Sequence, residues 1–364
     1  VSFEITDEQA ELVTVVADLL SSQGQPRNSY DGGPALDKNA WTRLAELGLV
    51  AMTVPATSGG TGAQFFDQVL VAERIGAAVA AVPVVATSVA ARVLAAADAP
   101  ELTAVAVSGE RIVGAIVSAG RGLENGIGAD PRDDGWALSG SVPDVLEGAV
   151  LDDLVVLAST PDGPAWFAVA ADAPGVALAD QPSLDQSQRL GALTLNDAVA
   201  QRLLDGPAAA ALVEDTLRVA RIVLAAEATG AAATALAISV EYAKTRRQFG
   251  QPIGRYQAIK HKLVDMLLDT ENARSAVYNA AWSVDEGRDD AVIATYMAKA
   301  VATENAAHVT AQAIQVHGGI GNTWEHDCHL YLRRAKACEL ALGDPEYHFQ
   351  RIADLVLDTE GAVR

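Results

Sequence analysis

"GPAAAALVEDTLRVARIVLAAEATGAAATALAISVEYAKTRR", Gly206 to Arg247, decides the fold. It is rich in alanine and other good helix formers, and it marks a return to long helices after a zone of different texture. That earlier zone opens near Gly109. There "RIVGAIVSA", "GWALSGSV", "LDDLVVLAS" and "AWFAVAA" are short β-prone runs separated by Gly, Pro and Asp turns, which predicts a small antiparallel β-domain lasting to about "LGALTLNDAVA". Further back, Thr6 and Gln9 have capping-box spacing, and Leu12, Val13, Val16, Leu19 and Leu20 follow at helical intervals. "WTRLAELGLVAMTVP" reads as a second helix ended by Gly48, the "SGGTG" run at 58–62 as a loop, and "FFDQVLVAERIGAAVAAVP" opens a helical pattern reaching about Pro100. Beyond Arg247, polar breaks at "FGQPIGRYQ", "DEGRDD" and "HGGIGNTWEHD" separate at least four helices. The order is helices, strands, helices. The expected domains are 1–108 (N-terminal α-helical), 109–206 (central β) and 207–364 (C-terminal four-helix).

The chain has 364 residues, more than one hydrophobic core usually serves, so two or three domains are expected. Half of the residues are hydrophobic but only 5% are aromatic, which suits close helix packing. A net charge of −21 disfavours general binding to nucleic acid or to an anionic membrane. Cys328 and Cys338 lie ten apart in one helical stretch, about 15 Å along its axis, too far to bridge. Reduced thiols and a cytoplasmic setting are expected. The opening "VSFEITDEQAEL" lacks the marks of a signal peptide, and no uninterrupted apolar run of membrane-spanning length stands out.

His326, Asp327, Cys328 and His329 are all ligand types for zinc, but adjacent side chains on a helix fan out and no second cluster exists. No metal is expected. No G-x-S-x-G elbow and no G-x-G-x-x-G after a strand are present, so neither a hydrolase triad nor a Rossmann unit has support. The glycines of "SGGTG" lack the Lys-Ser/Thr of a P-loop. There remain "RRQFG" with Gln257 downstream, and "QVHGGIG" at 315–321. An arginine can hold a phosphate bidentately, glutamine amides satisfy further polar atoms, and glycines admit a ligand close to the backbone. Together they suit a dinucleotide pyrophosphate; singly, each reads equally well as a solvated loop.

Zone order and motifs together resemble the acyl-CoA dehydrogenase family of flavoenzymes over essentially the whole chain. "WTRLAELGLVAMTVPATSGGTG", "YAKTRRQFGQPIGRYQAIKHKLVDM" and "AIQVHGGIGNTWEHDCHLYLRRAK" carry the resemblance, and the "TWEHDCHLYLRRA" wording is most similar to the actinobacterial branch that degrades steroid side chains. The resemblance implies a mainly α fold with a central β-domain and a C-terminal four-helix bundle. It also implies removal of the α proton of an acyl-CoA thioester by a carboxylate, with transfer of the β hydrogen as hydride to flavin.

Set against the family pattern, the glutamate of "Y-E-G-T" is replaced by Leu342, followed by Gly343, and the alternative base position in the first helix of the last domain holds Ala220, before Arg221. Glu214, Asp215, Glu339, Asp344 and Glu346 are the nearby acids. The family's flavin-facing "T-E-x-x-[AG]-G-S-D" loop is replaced by "VSAGRGLENGIGAD", and its "W-[IL]-[TS]" by Asp144 and Leu146 within "SVPDVLEGA". An aspartate there loses an aromatic face and sets negative charge near a ring that becomes anionic on reduction. The retained positions are Arg246, Phe249, Gln257, Gln315, Gly318 and Gly319, which in family dimers contact the FAD of the adjacent subunit. The expectation is a non-catalytic β-type subunit of a heteromeric acyl-CoA dehydrogenase, α2β2, sharing FAD with a homologous α-type partner. That partner would bind most of the acyl-CoA, which is expected to carry a steroid or cholesterol side chain, and would pass electrons to an electron-transfer acceptor. The alternatives are a homomeric dehydrogenase with a relocated base, and a non-catalytic assembly or binding protein of the same fold.

Overall fold

The computed structural model describes residues 5–23, 26–120, 122–123, 126–133 and 135–361. The expectations placed on residues 1–4, and on 121, 124 and 125 of the "VSAGRGLENGIGAD" segment, lie outside the described residues. In chain order the helices α1 (Asp7–Gln23), α2 (Lys38–Glu46), α3 (Phe65–Ala78), α4 (Val84–Ala96) and α5 (Pro100–Ser108) come first. The strands β1 (Val113–Ala115), β2 (Gly128–Arg132), β3 (Gly135–Val145), β4 (Asp153–Thr160), β5 (Gly163–Ala170), β6 (Val176–Gln181) and β7 (Leu190–Leu204) follow. Then come α6 (Gly206–Thr245), the short hairpin β8 (Arg247–Gln248) and β9 (Gln251–Pro252), α7 (Gln257–Asp285), α8 (Ala291–His317), α9 (Cys328–Leu340) and α10 (Pro345–Gly361). This is the helix–strand–helix order read from the sequence.

The chain forms two compact units, 1–31, 65–80 and 224–364 in one, and 32–64 and 81–223 in the other. The first is helical. The capping box forms as expected: Thr6 N donates to Gln9 Oε1 at 3.1 Å, and Gln9 N to Thr6 Oγ1 at 3.2 Å. Small residues let α3 and α6 approach so closely that a Cβ on Gly230 would lie 1.9 Å from Glu73 O, and one on Gly76 2.0 Å from Glu227 O. Alanine and glycine are abundant here because there is no room for more. Beside that contact the Glu227 and Arg334 side chains are both wholly buried and paired at 2.8 Å, and Arg334 Nη2 also donates to Ala80 O. Glu73, 1% exposed, accepts from Arg274 Nη2 at 3.0 Å and from Tyr278 Oη at 2.8 Å.

The second unit holds the sheet, with strand order β1-β4-β2-β3-β7-β5 and β6 on β7; β5 also pairs with β4, closing the sheet on itself. Its core includes Trp166 and Phe167, both fully buried, and Trp166 Nε1 donates to Ala209 O at 3.2 Å. The sheet is mixed rather than purely antiparallel: β1 runs parallel to β4, and β2 meets β4 in parallel at Gly128 and Ser159. The β2–β3 hairpin intervenes between β1 and β4, and supplies the crossover that parallel pairing requires.

Helix α9 begins at Cys328. Thr323 Oγ1 donates back to Ile320 O at 2.8 Å, Trp324 Nε1 to Asp31 Oδ1 at 2.9 Å, and the Cys328 amide to His326 Nδ1 at 3.1 Å. These contacts turn the chain before the helix starts. Cys328 and Cys338 are both buried and not joined by a disulfide. The Cys328 thiol is pushed up to about 12 by burial, so it is not a nucleophile.

Candidate functional site

At the end of α6 the chain reverses. Arg246 N still bonds to Tyr242 O at 2.8 Å, and Ile253 N returns to Arg246 O at 2.8 Å. Between them Phe249 and Gly250 take φ of +50° and +80°, as a two-residue hairpin turn demands. Glycine accepts this freely; phenylalanine does so at a cost of about 1–2 kcal/mol. The Phe249 side chain is nevertheless 93% exposed, edge-on to Tyr256 with ring centroids 6.4 Å apart. Among the described residues, burial does not account for an aromatic there.

Helices α7 and α8 run antiparallel: Asn305 Nδ2 donates to Asp269 O at 3.0 Å, His308 Nδ1 lies 2.7 Å from Asp269 Oδ2, and Lys262 Nζ donates to Gln312 Oε1. That register brings Gln257, first in α7, and Gln315, in the last turn of α8, to the same end. The Tyr242 ring stacks on His317 with centroids 4.5 Å apart and ties the end of α6 to it as well. The structure therefore gathers Arg246, Phe249, Gln257, Gln315, Gly318 and Gly319 at one end of the helices. Arg246, Gln257 and Gln315 are exposed, and their side chains have no hydrogen-bond partner among the described residues. Gly318 needs its φ of +66°, whereas Gly319 has no positive φ. A Cβ on Gly319 would meet nothing within 4 Å. Nothing among the described residues requires glycine at 319; close approach from outside would.

Elsewhere in the helical unit, Leu342 follows α9 and is 5% exposed with φ +59°. Beside it the fully buried Lys299 of α8 donates to Gly343 O at 3.0 Å and Glu339 O at 3.3 Å. In the sheet unit, Ser118 Oγ donates to Asp144 Oδ1 at 2.6 Å, Gly120 N to Asp144 Oδ2 at 2.9 Å, and Ala119 N to Asp144 O at 2.8 Å. The aspartate thus stitches down the turn that begins at Ser118. Three residues on, Glu147 is 3% exposed and caps α4 through the amides of Val85 and Ala86.

Residues 6–103 match the family described as "Acyl-CoA dehydrogenase, N-terminal domain", and 210–357 match "Acyl-CoA dehydrogenase, C-terminal domain". The chain is 30% identical over 359 residues to the acyl-CoA dehydrogenase IpdE2 of Mycobacterium tuberculosis, covering 97% of this chain and 98% of that protein. The chain belongs to the acyl-CoA dehydrogenase family. Among solved structures it resembles a variant of the Tcur3481–Tcur3483 steroid ACAD, with a TM-score of 0.88 and 32% identity over 99% of this chain and 100% of that one. It also resembles a chain of the ChsE4–ChsE5 complex of M. tuberculosis, with a TM-score of 0.86 and 30% identity over 98% and 99%.

Members of this family are FAD-dependent oxidoreductases, and the resemblance implies a carboxylate base. Leu342 is an alkane in a sealed turn, and Ala220 is fully buried in α6. The nearby acids are mostly engaged in structure. In the sheet unit, Asp215 pairs with Arg92 at 2.5 Å and Arg218 at 3.4 Å, and Glu214 lies 3.9 Å from Arg221. In the helical unit, Glu339 pairs with Lys336 at 2.5 Å and Asp344 Oδ1 caps the Tyr347 amide, while Glu346 sits exposed in the first turn of α10. Among the described residues no group of three or more His, Cys, Asp or Glu could hold a metal. The unused cation, the two unused amides and the open glycine fit the phosphate-bearing part of FAD, where Arg246 would hold the pyrophosphate bidentately and the glutamines its remaining polar atoms. Sequence reasoning missed Lys299, Tyr242 and His317. A lone Lys or His inside an alanine-rich helix gives no sign of what it meets across a helix pair.

Proposed function

We propose that this chain is the non-catalytic β-type subunit of a heteromeric FAD-dependent acyl-CoA dehydrogenase, α2β2 in its simplest form. The observation that carries this reading is Leu342: a buried, turn-locked leucine at the family's base position, beside a lysine committed to main-chain carbonyls. A homologous α-type partner would supply the base and seat the isoalloxazine, the hydride acceptor of the reaction. This chain's part is to bind and orient. Arg246, Gln257, Gln315 and the Gly318–Gly319 turn would grip the phosphates of the partner's FAD, and Phe249 would bury its exposed ring on assembly.

The Ser118 turn, held down by Asp144, supports the absence of a second flavin on this chain's own side. The acyl-CoA would lie mainly on the partner, and electrons would leave to a separate acceptor. The neighbour named as a steroid ACAD supports a steroid side-chain thioester as substrate. A cytoplasmic setting with reduced thiols goes with this reading.

The test is to purify the chain alone and with its partner, count FAD per chain and assay turnover. The lone chain should be flavin-free and inactive, and the complex should carry about half a flavin per chain with full activity. Bound FAD and turnover by the lone chain would refute the proposal.

A further inference from the structure

Behind the Gly318–Gly319 turn lies a set of rings that the reading above leaves unused. His317, the last residue of α8, is 4% exposed. Its centroid lies 4.5 Å from that of Tyr242, nearly face to face, and 4.5 Å from that of His326. Nδ1 is 2.8 Å from Ala313 O, a carbonyl that only accepts, so Nδ1 carries the hydrogen. Nε2 is then a buried acceptor with no partner among the described residues. The Cys328 sulfur sits 3.7 Å from Nδ1. His326 accepts the Cys328 amide on its own Nδ1, which puts its hydrogen on Nε2. One imidazole thereby touches the last turn of α6, the segment before α9 and the start of α9, while being covalently next to Gly318.

We propose that His317 is the positioning residue for the Gly318–Gly319 turn, holding it while the ring is neutral and releasing it when the ring takes up a proton. The proposal rests on the reading that this turn grips the partner's FAD. A proton on Nε2 would create a buried donor without an acceptor, in a ring whose centroid is 4.5 Å from that of a second imidazole. Burial depresses the proton affinity of His317 and His326 depresses it further, while the bond to Ala313 O opposes both. The other charged or titratable groups on the packed elements give little relief. Asp327 is paired to Arg27 at 2.5 Å, and His329 has Arg333 beside it. The Cys328 thiol stays protonated, Lys262 of α7 is held by Gln312, and Lys244 of α6 is paired to Glu241. Because the folded state prefers neutral His317, its contribution is complete above the ordinary value of 6.5 and is lost as pH falls below it.

The experiment uses the assembled complex, with FAD release followed by flavin fluorescence from about pH 8 down to about pH 5. The FAD dissociation constant should rise about tenfold across the acid limb. His317→Phe keeps the stacking and removes the titration, so the limb should disappear. His326→Phe removes a neighbour that holds the proton off, so release should begin at higher pH; this variant carries the test if His317→Phe does not fold. An unchanged limb in His317→Phe, or its disappearance in His326→Phe, overturns the proposal. Amide exchange of 316–321 in the same complexes, corrected for intrinsic rates, separates the two levels. Acid loosening of the turn in the parent and not in His317→Phe upholds positioning even if FAD stays bound, and that pair of results would count instead against the FAD reading. No loosening in the parent overturns positioning.

Discussion

Two turns that close neighbouring helices, Leu342–Gly343 after α9 and Gly318–Gly319 after α8, are built to opposite rules. The first is filled. Leu342 is buried despite its positive φ, a Cβ on Gly343 would strike the Tyr347 ring at 2.4 Å, and a buried ammonium caps the carbonyls at the helix end. A cation there is favoured by the helix dipole as well as by its hydrogen bonds. The second turn is left open. A Cβ on either glycine would meet nothing within 4 Å, and the arginine and glutamines gathered with it keep donors and acceptors that nothing among the described residues uses. Close packing and paired polar groups are what an interior requires, and the filled turn meets both; the open, exposed end is the one that the proposed reading assigns to a partner subunit.

The largest effect should come from breaking the filled side. Glu227→Ala leaves the wholly buried Arg334 without its carboxylate and should cost about 3–5 kcal/mol of stability, read by thermal or denaturant unfolding. A loss below about 1 kcal/mol would show that the helical core tolerates loss of this carboxylate and would remove the contrast drawn above. Next comes the open side. Arg246→Ala should leave the unfolding of the lone chain within about 0.5 kcal/mol of the parent, because the exposed side chain has no hydrogen-bond partner among the described residues. In the assembled complex it should weaken FAD binding by about 1.5–3 kcal/mol, the usual worth of a hydrogen bond to a charged group. Retention of FAD at parental affinity would favour a scaffold with no part in catalysis.

What was legible in the sequence was local or periodic. The Thr6–Gln9 cap, the long helix after Gly206 and the strands from "GWALSGSV", "LDDLVVLAS" and "AWFAVAA" are set by neighbours within a few residues. Strands β2, "GADPR", and β6, "VALADQ", gave no comparable signal: proline and aspartate are poor strand formers, and pairing with longer strands overrides that. The parallel pairing of β1 with β4 joins segments 40 residues apart in register, Val113 with Asp153, which no local pattern encodes. At the site, Leu342, Ala220 and Asp144 have meaning only against a family pattern, since a leucine or an alanine by itself does not announce a missing base. Lys299 and the Tyr242–His317 stack depend on which helices meet, and so emerged only with the fold.

The smallest expected effect is also the sharpest test of the contrast, because its sign differs between the lone chain and the complex. Phe249 holds a left-handed backbone with φ +50° while its side chain is 93% exposed, so within this chain it contributes strain and almost no burial. Phe249→Gly relieves the strain but adds freedom to the unfolded chain, which offsets part of the gain. The lone chain should therefore unfold at the same denaturant concentration as the parent or slightly higher, by up to about 1 kcal/mol. In the complex the same substitution removes an aromatic that would be covered by the partner, and the dissociation constant for assembly should rise by about tenfold or more. A lone chain destabilised by the change would mean that Phe249 serves this chain's own fold. Unchanged assembly would mean that the exposed ring is not a contact, and the open end of the helices would then need a different occupant.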